Sequence, residues 1–230
     1  MSVSSVRERR RAETVAEIKS AALRQLVDAG PGGFSLRGVA REVGMTVQSL
    51  YHYFANRDAL LTVLVVDAHD SAADAVEAAV EASRGRHPHE RRLAACRAFR
   101  EWALANRPAF LLLYGTPVPG FTPLPDSDVG RAAWRLGGAF GEVVFDGWTP
   151  AQLAAVPAGP GLDEIDCGVM QLPLGAAALF IELRARMHGL VALEIVGHLH
   201  PFNDHGAALF DAAMNRMSEE VDAIQQGSAG

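Results

Sequence analysis

Residues 34–61 read FSLRGVAREVGMTVQSLYHYFANRDALL and hold two short helical patterns that meet at a glycine. Ser35 stands before the first pattern and Thr46 before the second, and both are residue types that cap a helix N-terminus. Each pattern places apolar residues at i, i+3, i+4 and i+7, which is one face of an α-helix. Three residues beginning with Gly44 separate the patterns, so the stretch predicts a helix-turn-helix. The two apolar sets are Leu36, Val39, Ala40, Val43 and Val47, Leu50, Tyr51, Phe54.

One helix is predicted on each side of this motif. Upstream, apolar residues recur at helical spacing from Val15 to Leu26 and stop before Pro31, which predicts a first helix of about four turns. Downstream, Asn56 precedes an alanine- and valine-rich run that continues to Ser83 or its neighbours. At about 1.5 Å per residue this helix would be about 40 Å long, so it could connect two regions of the molecule.

Helical spacing continues through the rest of the chain, without the alternating pattern of a strand. Residues 147–168 contain three prolines and predict a long connection. We therefore predict an all-α fold, in which a three-helix N-terminal domain (residues 1–58) is joined by the long helix to a second helical domain (residues 59–230). The further predicted helices are Glu90–Asn106, Ala109–Tyr114, Asp128–Phe145, Leu174–Leu199 and Asp204–Ile224.

Charge is divided unevenly along the chain. The whole chain carries 21 basic and 27 acidic residues, for a net charge of -6. Residues 1–60 hold nine of the basic and six of the acidic residues, which gives +3 there and -9 for the remainder. Because a cationic segment attracts an acidic polymer, this division places any nucleic-acid partner at the N-terminal quarter of the chain.

Cysteine content and the terminal sequence indicate the compartment. Cys96 and Cys167 are the two cysteines of the chain, which argues against a disulfide framework and a paired-cysteine zinc site. The N-terminal stretch MSVSSVRERRRAE has no apolar run behind its basic residues, unlike a secretory signal. The longest uncharged apolar run, Val169–Ile181, is too short to span a bilayer. We expect a cytoplasmic protein with no membrane partner.

The second helix of the motif carries hydrogen-bonding side chains on its outward face. Gln48, Ser49, His52 and Tyr53 are short or planar groups that suit base edges and phosphates better than a solvated Lys and Glu face would. Arginines surround this face, and a basic N-terminal arm is positioned for phosphate or minor-groove contacts. The flanking arginines are Arg37, Arg41 and Arg57, and the arm holds Arg7, Arg9, Arg10 and Arg11.

The stretch from FSLRGVAREVGM through TVQSLYHYFANRDALL resembles the DNA-binding domain of the tetracycline-repressor (TetR) family of bacterial transcriptional regulators. The resemblance covers residues 12–60 and rests on the spacing of the motif, on Leu50, Tyr51 and Phe54, and on a basic residue three positions later. It implies an all-helical homodimer that places one helix per subunit in successive major grooves of a palindromic operator. It also implies that residues 59–230 bind a small-molecule effector and form the dimer, with repression as the usual mode.

Residue roles follow from the resemblance one position at a time. Tyr51 corresponds to a tyrosine set against a phosphate, and Arg57 stands where the family usually has a phosphate-binding Lys. Arg37 falls where some members contact guanine, which a guanidinium suits. Val47 and Gln48 depart from the Lys and Gly of many members, and Gln48 could read adenine. The predicted DNA-contact set is Arg37, Thr46, Val47, Gln48, Ser49, Tyr51, His52, Tyr53 and Arg57.

The C-terminal part suggests an effector pocket. Residues 187–199, MHGLVALEIVGHL, are similar to a TetR subgroup whose regulatory domain is named for a Trp, a His and a Gly. His188 and Gly189 match, but Arg184 stands where the Trp is expected. His188 could equally be a hydrogen-bonded core histidine, and the aromatic residues could be plain core. The predicted pocket residues are Phe99, Trp102, Phe110, Tyr114, Trp134, Phe180 and His188.

Other interpretations are weaker. His198, His200 and His205 with Asp204 form a poor metal pattern, so we expect no metal and no cofactor. Catalytic motifs such as Gly-x-Ser-x-Gly and His-Glu-x-x-His are missing from the sequence, so we do not expect an enzyme. The alternative hypothesis is an α-helical interaction module, or a regulator without a small-molecule effector. Clustered arginines in an otherwise acidic chain favour a DNA-binding regulator, since a vestigial motif would have no need of them.

Overall fold

The computed structural model describes residues 3–162 and 165–227, and every regular element in these ranges is a helix. Two short 3-10 helices, Gly168–Met170 and Asn203–His205, accompany the α-helices. The all-α prediction is therefore confirmed for the described part of the chain. The α-helices are α1 (Val3–Asp28), α2 (Gly30–Gly33), α3 (Leu36–Glu42), α4 (Val47–Tyr51), α5 (Arg57–Ala82), α6 (Pro88–Ala105), α7 (Arg107–Tyr114), α8 (Asp128–Val144), α9 (Pro150–Ala155), α10 (Leu174–Ile195) and α11 (Gly206–Gly227).

These helices form two units. The first unit contains the described residues up to Ser71 together with Asn106–Trp134, and the second contains Ala72–Ala105 with the described residues from Arg135 onward. Helices α5 and α8 contribute residues to both units. The functional boundary between residues 58 and 59 stays a prediction.

The first unit is organised around the C-terminal half of α1. Ile18 on α1, Val39 on α3 and Leu50 on α4 are all fully buried in one apolar cluster with Leu60 of α5. Burying a leucine or isoleucine side chain contributes about 1.5–3 kcal/mol, so this cluster fixes which faces of α3 and α4 remain outside. Val118, which follows α7, belongs to the same cluster.

The second unit packs α6 against α11 and α10. Its interior includes an arginine, since Arg92 on α6 has 1% of its surface exposed. The Arg92 Nε–H donates to Ser218 Oγ at 2.7 Å, and an Nη2–H donates to the Asp222 carboxylate of the same helix, α11. A buried guanidinium requires such partners, because an unpaired charge in the interior is strongly destabilising.

The structure corrects several of the predicted helices. The basic residues Arg7–Arg11 do not form an arm before the first helix, because α1 begins at Val3 and contains them. The segment has no glycine or proline, and Arg9 and Glu13 lie one turn apart with Nε and Oε1 separated by 3.8 Å, so nothing interrupts the helix. Helix α10 ends at Ile195 rather than Leu199, α7 begins at Arg107 rather than Ala109, and α11 spans Gly206–Gly227 rather than Asp204–Ile224. Two short helices were not predicted: α2 follows α1 directly, and α9 lies inside the predicted long connection.

Candidate nucleic-acid interface

Side-chain caps define the start of both helices of the motif, as predicted. The Gly38 N–H donates to Ser35 Oγ at 3.2 Å, and the Ser49 N–H donates to Thr46 Oγ1 at 3.1 Å. Gly44 closes α3 with a φ of +69°, a backbone conformation that glycine adopts without steric cost. The caps and this glycine separate α3 from α4 by one tight turn.

One face of α4 is buried and the opposite face is exposed. Leu50 has no exposed surface, and Phe54, which follows the helix, has 6%. On the other side, Thr46, Gln48, Tyr51 and His52 are exposed. Val47, Ser49 and Tyr53 are half-buried at the edges of the exposed face.

The exposed side chains have free hydrogen-bonding capacity. Within the described residues, the side chains of Gln48, Tyr51 and His52 form no hydrogen bond, and Tyr51 exposes 46% of its surface. The hydroxyls of Thr46 and Ser49 lie 2.9 Å apart and bond to each other. The arrangement is a short row of donors and acceptors on a helix whose inner face is anchored in the core.

The three flanking arginines have different surroundings. Arg37 and Arg41 are exposed, and neither pairs with a carboxylate among the residues that the structure describes. Arg57 lies against the protein: its Nε–H donates to the Phe34 carbonyl at 3.4 Å and its Nη1–H to the Pro119 carbonyl at 3.2 Å. The Arg57 guanidinium also lies 5.4 Å from the centre of the Phe34 ring. Arg57 therefore connects the start of α5 to the backbone at Phe34 and Pro119.

Arg11 supports the candidate interface through contacts that the sequence analysis did not predict. Its Nη2–H donates to the His52 carbonyl at 3.4 Å, and its Cζ lies 5.0 Å from the centre of the Tyr53 ring. These contacts support the C-terminal end of α4 from α1. The sequence contains one signal for these contacts. Arg11 lies seven residues before the buried Ile18, and this spacing places both residues on one face of α1.

The predicted pocket residues are distributed between the units. Phe99, Trp102, Phe180 and His188 belong to the second unit, whereas Phe110, Tyr114 and Trp134 belong to the first. His188 stacks on Phe99 with ring centres 4.7 Å apart, and Phe110 contacts Tyr114 with ring centres 5.1 Å apart. Trp134 is 42% exposed. A shared pocket for all seven stays a prediction.

The structure has apolar concavities at other places. In the first unit, a cavity of about 220 Å³ lies between the end of α1 and α7, and its walls include Leu26, Pro31, Leu111 and Val118. In the second unit, an apolar groove follows the N-terminal half of α10 beside Cys167. None of the seven predicted pocket residues lines either of them.

The histidines near the C-terminus and the two cysteines show no arrangement for chemistry. His198, His200 and His205 are exposed, and no cluster of three or more potential metal ligands exists among the described residues. Burial raises the pKa of the Cys96 thiol to about 12, so the thiol is protonated at neutral pH and is a poor nucleophile. Within the described ranges, no helix combines the length and apolarity needed to cross a membrane.

Two family models match the chain. Residues 18–64 match the model described as bacterial regulatory proteins, tetR family, and residues 93–217 match the tetracyclin repressor-like C-terminal domain. The first match contains α3, α4 and the turn between them, and the second contains most of the described second unit.

Curated relatives have regulatory names. The HTH-type transcriptional regulators Rv1816 of Mycobacterium tuberculosis and Mb1846 of Mycobacterium bovis are each 40% identical to the chain over 137 residues. The match covers 60% of this chain and 58% of each relative, so the chain spans a little over half the length of these relatives.

Solved structures share the fold over nearly the whole chain. The regulatory protein SCO4313 has a TM-score of 0.72 at 29% identity, with 91% of this chain and 97% of that one covered. The TetR family transcriptional regulator PfmR of Thermus thermophilus has a TM-score of 0.58 with the same coverage. At 15% identity, the likeness to PfmR shows the fold alone.

Proposed function

The chain belongs to the TetR family of bacterial transcriptional regulators, and from that premise we propose that it binds a palindromic DNA operator as a homodimer and is released by a small-molecule effector. The proposal places the protein in the bacterial cytoplasm, where its DNA lies. Repression by occupying the operator is the mode we propose.

The exposed face of α4 is the single observation that carries the DNA-binding proposal. A recognition helix enters the major groove and contacts base edges with its outward side chains. Gln48 can form paired hydrogen bonds with adenine, and Tyr51 can donate to a phosphate oxygen. Because Leu50 is fully buried beneath them, these side chains are presented on a rigid support.

Phosphate contacts are supported by unpaired cations near the motif. Arg37 and Arg41 on α3 are exposed and have no carboxylate partner in the described ranges, and the same holds for Arg7 and Arg10 on α1. Each cation that neutralises a phosphate releases counterions, so affinity should fall steeply with salt concentration.

A homodimer through α10 and α11 is supported by exposed apolar surface. Ile181 and Leu193 on α10 expose 51% and 43% of their surface, and Val196 just beyond the helix exposes 50%. A concavity between α10 and α11 has Leu190, Met214 and Met217 in its walls. Small residues at Ala207, Ala208, Ala212 and Ala213 on α11 would allow a second helix to approach closely.

Release by an effector requires two conformations that bind DNA differently. Two recognition helices must lie about 34 Å apart, or a multiple of that distance, to enter successive grooves on one face of the duplex. An effector that prefers the conformation with the wrong spacing lowers operator affinity by its differential affinity for the two states. Helices α5 and α8 each contribute residues to both units and are covalent connections through which such a change can pass.

The test begins by selecting DNA fragments of the source genome on the purified full-length protein. We expect recovery of a few palindromic sites, bound at least about a thousandfold more tightly than random duplex at physiological salt. Gln48→Ala should lose most of that preference. The control Gln226→Ala, an exposed glutamine in the last turn of α11, should keep it. Recovery of random fragments by the wild-type protein would contradict the proposal.

A further inference from the structure

Arg184 on α10 differs from most arginines of the second unit because it pairs with no carboxylate among the described residues. It is half-buried, and its Nε–H is fully removed from solvent without an acceptor among the described residues. It contacts the Phe180 ring, whose centre lies 5.8 Å from Arg184 Cζ. The neighbouring arginines each pair with a carboxylate, namely Arg91, Arg92, Arg97, Arg100, Arg135 and Arg186.

An unpaired guanidinium at this depth is unfavourable. A buried donor without an acceptor loses its hydration without replacement, and a buried charge without a counter-charge is worse still. Folded proteins pair such groups or use them to bind a charged ligand. None of the described carboxylates pairs with Arg184, so an anion from outside the chain would supply the acceptor and the counter-charge that its buried side lacks.

Helix α8 leaves space beside this guanidinium. Gly137 is buried, yet a Cβ atom built there would have one neighbour within 4 Å, Arg184 Nη1 at 4.0 Å. Gly141, one turn further along α8, is half-buried and would have no neighbour within 4 Å. A buried helix surface with open space above it indicates a gap between α8 and α10, and the Arg184 guanidinium borders that gap.

The surroundings of the gap are apolar and aromatic. Phe180 lies one turn before Arg184, and its ring centre is 6.3 Å from that of Phe145 at the end of α8. His188 lies one turn after Arg184 and stacks on Phe99. One cation among aromatic rings suits a monoanion with an apolar body, because a phosphate dianion would require additional cations.

We propose that Arg184 holds the carboxylate of an amphipathic monocarboxylic acid that binds between α8 and α10, with the apolar part of the acid against Phe180. The proposal rests on the proposed function, because it names the chemical class of the effector.

The test uses the full-length protein without DNA. The probes are octanoate, decanoate and 3-phenylpropanoate, each compared with its uncharged primary amide by thermal unfolding and by titration calorimetry. We expect at least one acid to raise the melting temperature, while its amide at the same concentration does not. Arg184→Met should weaken binding of that acid about 10- to 100-fold, which is the usual contribution of a charge-assisted hydrogen bond. Arg86→Met, an exposed arginine of the same unit, should leave binding unchanged.

A second variant keeps the charge and removes the space. Gly141→Leu should abolish acid binding although Arg184 is still present, and it protects the test against a folding defect in Arg184→Met. Without ligand, Arg184→Met should be at least as stable as the wild type, because an unpaired charge is removed.

Three results would overturn the inference: no acid of the set binds, an amide binds as tightly as its acid, or Arg184→Met binds the acid as the wild type does. The proposed function is tested separately. Release of the operator by a neutral or cationic compound, with no effect of acids, would support an effector-controlled regulator and overturn the role of Arg184.

Discussion

Gln48 and Tyr51 lie one turn apart on the exposed face of α4, and their chemistry assigns them different tasks. An amide can discriminate adenine from other bases, whereas a tyrosine hydroxyl on a phosphate carries no sequence information. We predict that Gln48→Ala and Arg37→Ala lower operator affinity by about 1–3 kcal/mol with little loss on random DNA, and that Tyr51→Ala lowers both affinities together. Fluorescence anisotropy on operator and scrambled duplexes at one salt concentration measures this. Equal losses on both duplexes for Arg37→Ala and Tyr51→Ala would refute the division of roles.

Arg57 shows how far residue roles can be assigned from the sequence. The resemblance implies a phosphate contact for Arg57, and on that ground Arg57→Ala should weaken binding to all DNA. The hydrogen bond to the Pro119 carbonyl joins residues 62 positions apart, which no local pattern can reveal. Arg57→Ala would therefore also lower stability, so its effect on DNA binding has to be compared with that of Tyr51→Ala at a temperature where both variants are folded.

The buried Cys96 thiol should make the free energy of unfolding depend on pH in the alkaline range. Its folded pKa of about 12 lies above the ordinary value of 9.0, so the unfolded chain loses this proton first and stability falls as the pH rises from 9 towards 12. Between pH 8 and pH 10 the thiol should reduce the free energy of unfolding by about 1.4 kcal/mol. Urea denaturation of the wild type and Cys96→Ala at both pH values measures the difference between them. If the wild type and Cys96→Ala show the same pH dependence, burial does not raise the pKa of the Cys96 thiol.

At the level of elements, one of the contacts between α1 and α3 joins Gly38 to the side chain of Gln25. A Cβ at Gly38 would collide with the Gln25 side chain, whose Oε1 accepts from the Ser35 N–H at 2.9 Å. We predict that Gly38→Ala costs about 1–2 kcal/mol, since the lost hydrogen bond and repacking outweigh the helix propensity of alanine. Gly138→Ala on α8, which meets nothing within 4 Å, should instead gain about 0.5–1 kcal/mol. Denaturant midpoints of the two variants that shift in the same direction would contradict this account.

The sequence predicted those elements that have local signals at their ends. Ser35, Thr46 and Asn56 all cap helices as expected, and Asn56 Oδ1 accepts from the Ala59 N–H at 2.7 Å. Helix α9 was not predicted because the three prolines of residues 147–168 favour a loop. Its start nevertheless has local signals, since Pro150 stands in the first turn and Thr149 forms a capping box with Gln152. The start of α1 could not be predicted from periodicity, because a polar helix has no repeating apolar residues. Its charged residues therefore suggest an arm.

At the scale of the whole molecule, the proposed dimer would cover the exposed apolar residues of α10. We predict that Ile181→Glu converts the protein to a monomer at micromolar concentration, because a charge would be buried against the partner. Leu124→Glu changes a side chain of the first unit that is still more exposed, at 66% against 51% for Ile181, and should remain dimeric. Sedimentation equilibrium distinguishes the two variants. A wild-type monomer at micromolar concentration would exclude this interface.

The candidate DNA-contact residues could be predicted from the sequence because they lie in one continuous motif. The site proposed for a carboxylic acid could not be predicted, since the residues around it come from α6, α8 and α10, which are distant in the sequence. The net charge of -6 is compatible with a DNA partner, because the first 60 residues carry +3 and the acidic remainder carries -9. The acidic part should be repelled by DNA, which leaves the motif as the favoured contact surface.

A hydroxyl-radical footprint of the wild-type protein on its selected operator tests the central claim most directly. The account predicts two protected half-sites related by a two-fold axis, with centres separated by a whole number of duplex turns of about 10 base pairs, and loss of both protected regions with Ile181→Glu at the same concentration. A single protected site, or protection that follows no particular sequence, would contradict it.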